Sequence, residues 1–87
     1  MASYRLLVKR SAAKEIEAIS QKRDRERVMA TIGTLAENPR PAGSAKLAGR
    51  DDRYRIRVGN YRVLYSIEDA ALIVWVVKVG HRREVYR

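Results

Sequence analysis

The sequence of 87 residues contains no cysteine and only one histidine, His81. Without cysteine, neither a disulfide framework nor a thiolate metal site can form, and a single histidine cannot build a multi-histidine site. No glycine-rich phosphate-binding loop occurs either, so we expect no metal ion and no small-molecule cofactor. No apolar run reaches the length of about 20 residues that spans a membrane, and residues 1–10 lack the apolar core of a signal peptide. These absences predict a cytoplasmic protein without membrane association.

Acidic residues are also in short supply. Nineteen lysines and arginines face ten aspartates and glutamates, which gives a formal net charge of +9 at pH 7. A field of this size attracts polyanions and accelerates their capture. We therefore expect the partner to be a nucleic acid, a nucleoprotein or an acidic protein, although basic domains also exist in which the charge serves solubility alone.

The first half of the sequence predicts one strand and two helices within a single domain over residues 1–87. Tyr4–Lys9 is the expected strand, and Ser11 and Ser20 are the expected N-caps of the helices. Apolar residues recur at helical spacing in both segments, at Ala12, Ile16 and Ile19 and at Val28, Ile32 and Leu35. Asn38-Pro39-Arg40-Pro41 ends the second helix. Residues 42–52 are expected to form a loop.

The second half changes to a period of two. In residues 53–58, tyrosine, isoleucine and valine alternate with three arginines, which is typical of a half-buried strand. Gly59-Asn60 predicts a hairpin turn, and a second alternating strand follows from Tyr61 to Ile67. Residues 72–79 are apolar on both faces and predict a central strand that is covered on both sides. The expected fold is α+β: one N-terminal strand, a helical hairpin and a three-strand meander form a small, mostly antiparallel sheet with both helices on one face.

Arginine is concentrated in the second half of the sequence. Residues 44–87 contain eight arginines and two lysines. Arginine suits phosphate binding because its planar guanidinium makes two parallel contacts to phosphoryl oxygens. If the Tyr54 side of the first hairpin strand packs on the helices, Arg55 and Arg57 project from the opposite face, toward a ligand or simply toward solvent.

Three segments resemble the RelE family of the RelE/ParE toxin superfamily. They are Tyr54-Arg-Ile-Arg57, Asn60-Tyr-Arg-Val-Leu-Tyr65 and, most specifically, Gly80-His-Arg-Arg-Glu-Val-Tyr86. The likeness covers nearly the whole sequence, including Lys46-Leu47 before the basic strand. It implies a toxin of a type II toxin–antitoxin system that cleaves messenger RNA in the ribosomal A site, without a metal ion, by attack of the ribose 2′-hydroxyl on the scissile phosphate. Inhibition of translation would follow.

The resemblance also implies which residues form the site. The resemblance points to Arg62, Arg82, Tyr86, Arg55 and Arg57 as catalytic candidates. His81 is a further catalytic candidate because of its imidazole, and Lys46, Arg53 and Arg83 are RNA-binding candidates because of their charge. Arg62 is assigned to the developing charge of the phosphate, Arg82 to the phosphate or the leaving 5′-oxygen, and Tyr86 to stacking on a base. His81 is considered for general acid or base catalysis, a common role of imidazole.

Each candidate has a plainer alternative. Arg62 can pair with Asp51, Asp52 or Glu68, and Arg82 and Arg83 can be no more than a basic terminus. Tyr86 can pack against the sheet, and His81 can be a surface residue. Asp51-Asp52 is expected to shape a turn, because no further metal ligands accompany the pair.

Two other functions use the same fold. One is a ParE-like inhibitor of DNA gyrase, and the other is an RNA-binding module without catalysis. Membership of the toxin family also implies an antitoxin, expected to be an acidic, partly disordered RelB-like protein that folds on binding. We expect the antitoxin to contact the sheet face that carries Arg55 and Arg57, or to displace the C-terminal residues. The remaining expected partners are the ribosome and messenger RNA.

Overall fold

The computed structural model describes residues 3–49 and 52–81. Within these residues, two helices and five strands follow one another. In order, these are β1 (Arg5–Val8), α1 (Arg10–Glu17), α2 (Lys22–Thr34), β2 (Ala45–Lys46), β3 (Arg53–Val58), β4 (Tyr61–Glu68) and β5 (Ile73–His81). Neither helix is long and apolar enough to cross a membrane.

The strands form one sheet in the order β1-β5-β4-β3-β2. β1 runs parallel to β5, and every other neighbouring pair is antiparallel. The predicted α+β fold is confirmed, including the three-strand meander. β2 is an addition, because the sequence analysis predicted a loop over residues 42–52. Its two residues pair with Arg55 and Tyr54 of β3, and two residues are too few to show a periodicity.

The predicted helix N-caps are wrong. α1 begins after Lys9 and α2 begins after Gln21, and neither residue makes a side-chain capping bond. The start of α1 is instead fixed by the sheet, since the Lys9 backbone N–H donates to the carbonyl of Val76 at 2.9 Å. Ser11 therefore lies inside α1, and Ser20 lies in the connection between the helices.

The core lies between the helices and one face of the sheet. Ala12, Val28 and Leu35 of the helical segments are fully buried, as are Val63 and Val74 of the sheet. Ile56 and Val58 of β3 are buried in the same cluster. This confirms the prediction that the Tyr54 side of β3 packs on the helices. The arginines between these residues must therefore project from the other face.

Arg40 connects the segment after α2 to the turn between β4 and β5. Its guanidinium donates two hydrogen bonds to the Asp69 carboxylate, at 3.2 and 2.8 Å, and its Nε donates to the Tyr54 hydroxyl at 3.1 Å. The Tyr4 hydroxyl donates to the same carboxylate at 2.7 Å. The hydrogen bond from Arg40, followed by that from Tyr4, lowers the pKa of Asp69 to about 2. We call these four residues the Arg40 cluster.

Buried Tyr65 of β4 holds the proline segment that follows α2. The Tyr65 side chain is fully buried, and its hydroxyl donates to the carbonyl of Pro39 at 2.7 Å. Burial raises the pKa of Tyr65, so the hydroxyl remains a donor at neutral pH. The Tyr65 ring also stacks on Tyr54, with centroids 6.0 Å apart. The proline segment that ends the helical half is thus bonded directly to the central sheet.

Candidate nucleic-acid interface

Four arginines share the sheet face that no described helix covers, which we call the open face. Side chains alternate between the two faces of a strand, so Arg53, Arg55 and Arg57 lie opposite the buried side of β3. The register pairs Arg57 with Arg62 of β4 and pairs Arg62 with Gly80 of β5. The fold therefore brings together the four candidate arginines of β3 and β4.

Arg57 and Arg62 are direct cross-strand neighbours. They follow the pair that flanks the Gly59-Asn60 turn. In an antiparallel hairpin this second pair is of the type in which the side chains approach most closely. Like charges directly opposite each other repel, and a pair of arginines placed in this way attracts anions.

Burial differs among Arg53, Arg55, Arg57 and Arg62, which we call the arginine row. Arg57 is exposed, whereas Arg53, Arg55 and Arg62 are half-buried. The Arg53 Nε is buried and makes no hydrogen bond within the described part of the chain. A partly desolvated guanidinium interacts more strongly with an anion than a fully hydrated one does. The arginine row thus combines one exposed side chain, that of Arg57 near the turn, with three half-buried ones.

The open face also carries apolar side chains. Leu7 of β1, Trp75 of β5 and Leu64 of β4 lie on this side, as the register and the alternation of side chains require. Trp75 pairs with Ser66, which in turn pairs with Arg53. Neighbouring strands lie about 4.8 Å apart, so the indole stands roughly 10 Å from the Arg53 position. An aromatic ring beside a row of cations is the combination that binds single-stranded nucleic acid.

The sequence analysis missed Trp75 because it treated β5 as covered on both sides. β5 does lie inside the sheet, between β1 and β4. Only its Val74, Val76 and Val79 side is buried under the helices, however, while Ile73, Trp75 and Val77 are half-exposed. The expectation of double coverage is therefore wrong for the described residues. An apolar run gives no signal of which face is open, but pairing β5 with the alternating β4 strand would have identified it.

Two candidates lie on the other side of the sheet. His81 pairs with Tyr61, which packs against the core, and the two rings meet edge to face at 5.9 Å. Lys46 pairs with Tyr54, on the helix-covered side. The structure does not bring His81 or Lys46 together with the arginines of the open face.

Three further candidates, Arg82, Arg83 and Tyr86, lie outside the described residues. Their assignment to the site stays a prediction from the sequence. The alternative that Arg62 pairs with Glu68 is weakened by their spacing, because the two residues are six positions apart along β4. At about 3.4 Å per residue, the two positions are roughly 20 Å apart.

A cavity of about 370 Å³ lies between α1 and the end of β5. Its lining comprises Glu15, Ala18, Ile19, Tyr61, Lys78, Val79, Gly80 and His81. Glu15 makes two contacts there, since it accepts hydrogen bonds from the Lys78 ammonium at 3.1 Å and from the Val79 backbone N–H at 3.0 Å. The cavity touches the same end of β5 as the arginine row but opens on the helix side of the sheet.

Residues 6–86 match the model of the family described as ParE toxin of type II toxin–antitoxin system, parDE. The chain belongs to the RelE/ParE superfamily of toxins. Toxin RelE of Mycobacterium tuberculosis is 26% identical over 84 residues, which cover 97% of this chain and 87% of the relative.

Solved structures give the same result. The isolated RelE toxin of E. coli is 32% identical, with a TM-score of 0.79 over 97% of this chain and 92% of the other. The RelE–RelB complex from Pyrococcus horikoshii contains a chain that is 26% identical, with a TM-score of 0.82 over 95% of this chain and 99% of that one. These likenesses confirm the resemblance found in the sequence and identify the chain as a toxin of the RelE type.

Proposed function

We propose that this RelE-type toxin is an endoribonuclease that cleaves messenger RNA in the ribosomal A site and thereby inhibits translation. The observation that carries the proposal is the directly paired Arg57 and Arg62 on the open face, with Arg53 and Arg55 in the same row. Two adjacent guanidiniums present paired donors to the oxygens of one phosphodiester. A phosphodiester of RNA bound at this pair would interact with both positive charges.

The reaction requires charge stabilisation more than covalent help from the protein. The ribose 2′-oxygen forms a bond to phosphorus, the bond from phosphorus to the 5′-oxygen breaks, and a 2′,3′-cyclic phosphate and a free 5′-hydroxyl result. The 2′-hydroxyl loses its proton and the leaving 5′-oxygen gains one. Negative charge gathers on the non-bridging oxygens during attack, and we assign Arg62 to that position, with Arg55 and Arg57 beside it. Because arginines supply the positive charge, the scheme needs no metal ion.

The remaining candidates complete the proposal. Arg82 is assigned to the phosphate or the leaving oxygen, and Tyr86 to stacking on the neighbouring base. Arg53 and Arg83 are assigned to the RNA backbone. His81 and Lys46 take no part in this scheme, because they lie on the helix-covered side of the sheet. Among the apolar side chains of the open face, Trp75 adds a stacking surface, which we include in the RNA-binding surface because an indole accepts any base.

The test is cleavage of a defined message on programmed ribosomes by the wild type and by Arg62→Ala. Loss of one charge-stabilising donor typically costs a factor of 100 to 1,000 in rate, and we expect a loss of that order. Arg5→Ala is the matched control. Arg5 belongs to the same face and carries the same charge, but it pairs with Ile73 at the end of the sheet opposite Arg62. Cleavage by wild type and Arg62→Ala at equal rates, or no cleavage by wild type, would contradict the proposal.

We also propose that the toxin is neutralised by an acidic antitoxin of the RelB type. The support is the net charge of +9 and the likeness to toxins solved in RelE–RelB complexes. A reversal of charge at Arg55 and Arg57 to glutamate should weaken the complex if the antitoxin contacts the open face. The control reverses Lys22 and Arg23, which lie on α2 at the other side of the molecule. Equal affinity of both double variants would exclude contact with the arginine row.

The description of the matching family as ParE toxin favours one alternative, inhibition of DNA gyrase without cleavage of nucleic acid. A supercoiling assay separates the two functions. We expect no inhibition at toxin concentrations that cleave ribosome-bound message. Inhibition of supercoiling without cleavage of message would favour the alternative.

A further inference from the structure

The end of β5 has a strand on only one side among the described residues. β1 accompanies β5 from Ile73 to Val76, where the pairing stops opposite Val8. β5 continues for five more residues, to His81, and is paired there with β4. Among the described residues, the end of β5 therefore makes backbone hydrogen bonds to a strand on its β4 side and to none on its β1 side.

The pairing with β4 is interrupted at the same place. Tyr65 pairs with Val76, but the preceding residue, Leu64, pairs with Lys78. Val77 is thus an extra residue in β5, and such a bulge disrupts the ladder and bends the strand. The loss of β1 and the bulge coincide, so the segment after Val77 needs another support.

Glu15 of α1 supplies that support from the side of the missing strand. One carboxylate oxygen accepts the Val79 backbone N–H at 3.0 Å, where a neighbouring strand would have placed a carbonyl. The other oxygen accepts from the Lys78 ammonium at 3.1 Å. Both side chains of this ion pair are partly shielded, with 41% of Lys78 and 31% of Glu15 exposed. Because the two hydrogen bonds reach consecutive residues, they hold both the position of this part of β5 relative to α1 and its orientation about the strand axis.

The residue fixed in this way precedes the candidate site. Val79 is followed by Gly80, which pairs with Arg62, then by His81 and, in the sequence, by Arg82. A displacement of Val79 therefore changes the relation between the end of β5 and the arginine row. We propose that Glu15 is a positioning residue, whose carboxylate holds the end of β5 in register with Arg62 for RNA cleavage. This inference rests on the proposed nuclease function.

The experiment compares Glu15→Ala, Glu15→Gln and Lys78→Met with the wild type on programmed ribosomes, with kcat and KM measured separately. A misplacement of about 1 Å costs up to 100-fold in rate, so we expect Glu15→Ala to lose between 10- and 100-fold in kcat with KM nearly unchanged. Glutamine retains an oxygen for the Val79 N–H and should restore kcat to within about threefold. Lys78→Met leaves that bond intact and should behave like the glutamine variant.

A matched control separates positioning from stability. Tyr65→Phe removes only the buried hydrogen bond from the Tyr65 hydroxyl to the Pro39 carbonyl, leaves both contacts of Glu15 intact, and should lower the melting temperature without lowering kcat. All variants are assayed well below their melting temperatures. If Glu15→Ala keeps the wild-type kcat, or if glutamine fails to restore it, the inference is overturned. If Glu15→Ala does not fold, Glu15→Asp takes its place, because its shorter side chain cannot hold both contacts and should also lose kcat.

A second readout does not depend on cleavage. Amide hydrogen exchange of Val79 and His81 should accelerate in Glu15→Ala and not in Tyr65→Phe, while Val74 and Val76 remain protected in both. Unchanged protection of Val79 would overturn the inference even if the wild type cleaves RNA. If the wild type does not cleave message, the proposed function fails, and an accelerated exchange would still show that Glu15 fixes the strand.

Discussion

Substitution of Arg57 by glutamine should raise stability and weaken RNA binding at the same time. The directly opposite Arg62 lies about 5 Å away between Cβ atoms, and two unit charges at that separation repel by about 0.8 kcal/mol in water. Because the guanidiniums can diverge, we expect a gain of roughly 0.5 kcal/mol in the free energy of unfolding. For a domain of this size that corresponds to an increase in Tm of about 2–4 °C.

The opposite sign is expected for function. Glutamine cannot neutralise a phosphate, so the affinity for a single-stranded RNA oligonucleotide should fall, and its dependence on the logarithm of salt concentration should become shallower by about 0.7. Thermal unfolding and fluorescence titration at two salt concentrations measure both effects. Arg5→Gln removes the same charge next to Ile73 and corrects for the change in net charge. A Tm of Arg57→Gln equal to or below that of Arg5→Gln would refute the argument from repulsion.

Three further predictions concern the turn between β4 and β5 and the Pro39 segment that is bonded to β4. Tyr65→Phe leaves the buried Pro39 carbonyl without its donor and should cost about 1 kcal/mol, measured by urea unfolding. Asp69 has its pKa lowered to about 2 by Arg40 in the folded protein, so its stabilising contribution is complete above the ordinary value of 3.8 and is lost as pH falls toward 2. Melting scans from pH 2 to 6 should show this loss in wild type and not in Asp69→Asn. Leu72 is exposed and adopts a left-handed φ of 55°. Because asparagine tolerates that conformation, Leu72→Asn should raise Tm slightly. A lower Tm would show that the packing of the leucine side chain contributes more to stability than the relief of strain.

The elements with a clear periodicity could be predicted from the sequence. The alternation in residues 53–58 correctly assigned Ile56 and Val58 to the core, and the helical spacing of Val28, Ile32 and Leu35 did the same for α2. The helix N-caps could not be predicted, because tertiary pairing of Lys9 with β5 sets the start of α1. Local capping propensity has no part in that hydrogen bond.

The candidate site was predictable to the same extent as the strands that carry it. Alternation alone placed the arginines of β3 on one face, but the direct pairing of Arg57 with Arg62 required the register of the hairpin. The position of His81 across the sheet from these arginines depends on the bulge at Val77, which no local pattern in an apolar strand reveals. Glu15 was missed because its partners, Lys78 and Val79, are more than 60 residues away.

The parallel pairing of β1 with β5 has a consequence for biosynthesis. β1 and α1 occupy residues 5–17 but make their sheet contacts with residues 73–81. During translation the first strand therefore remains unpaired, with its apolar residues uncovered, until residues 73–81 have been made. A nascent chain cannot complete its sheet beside β5 before that point. The fold thereby makes the pairing of the earliest strand one of the last steps of sheet assembly.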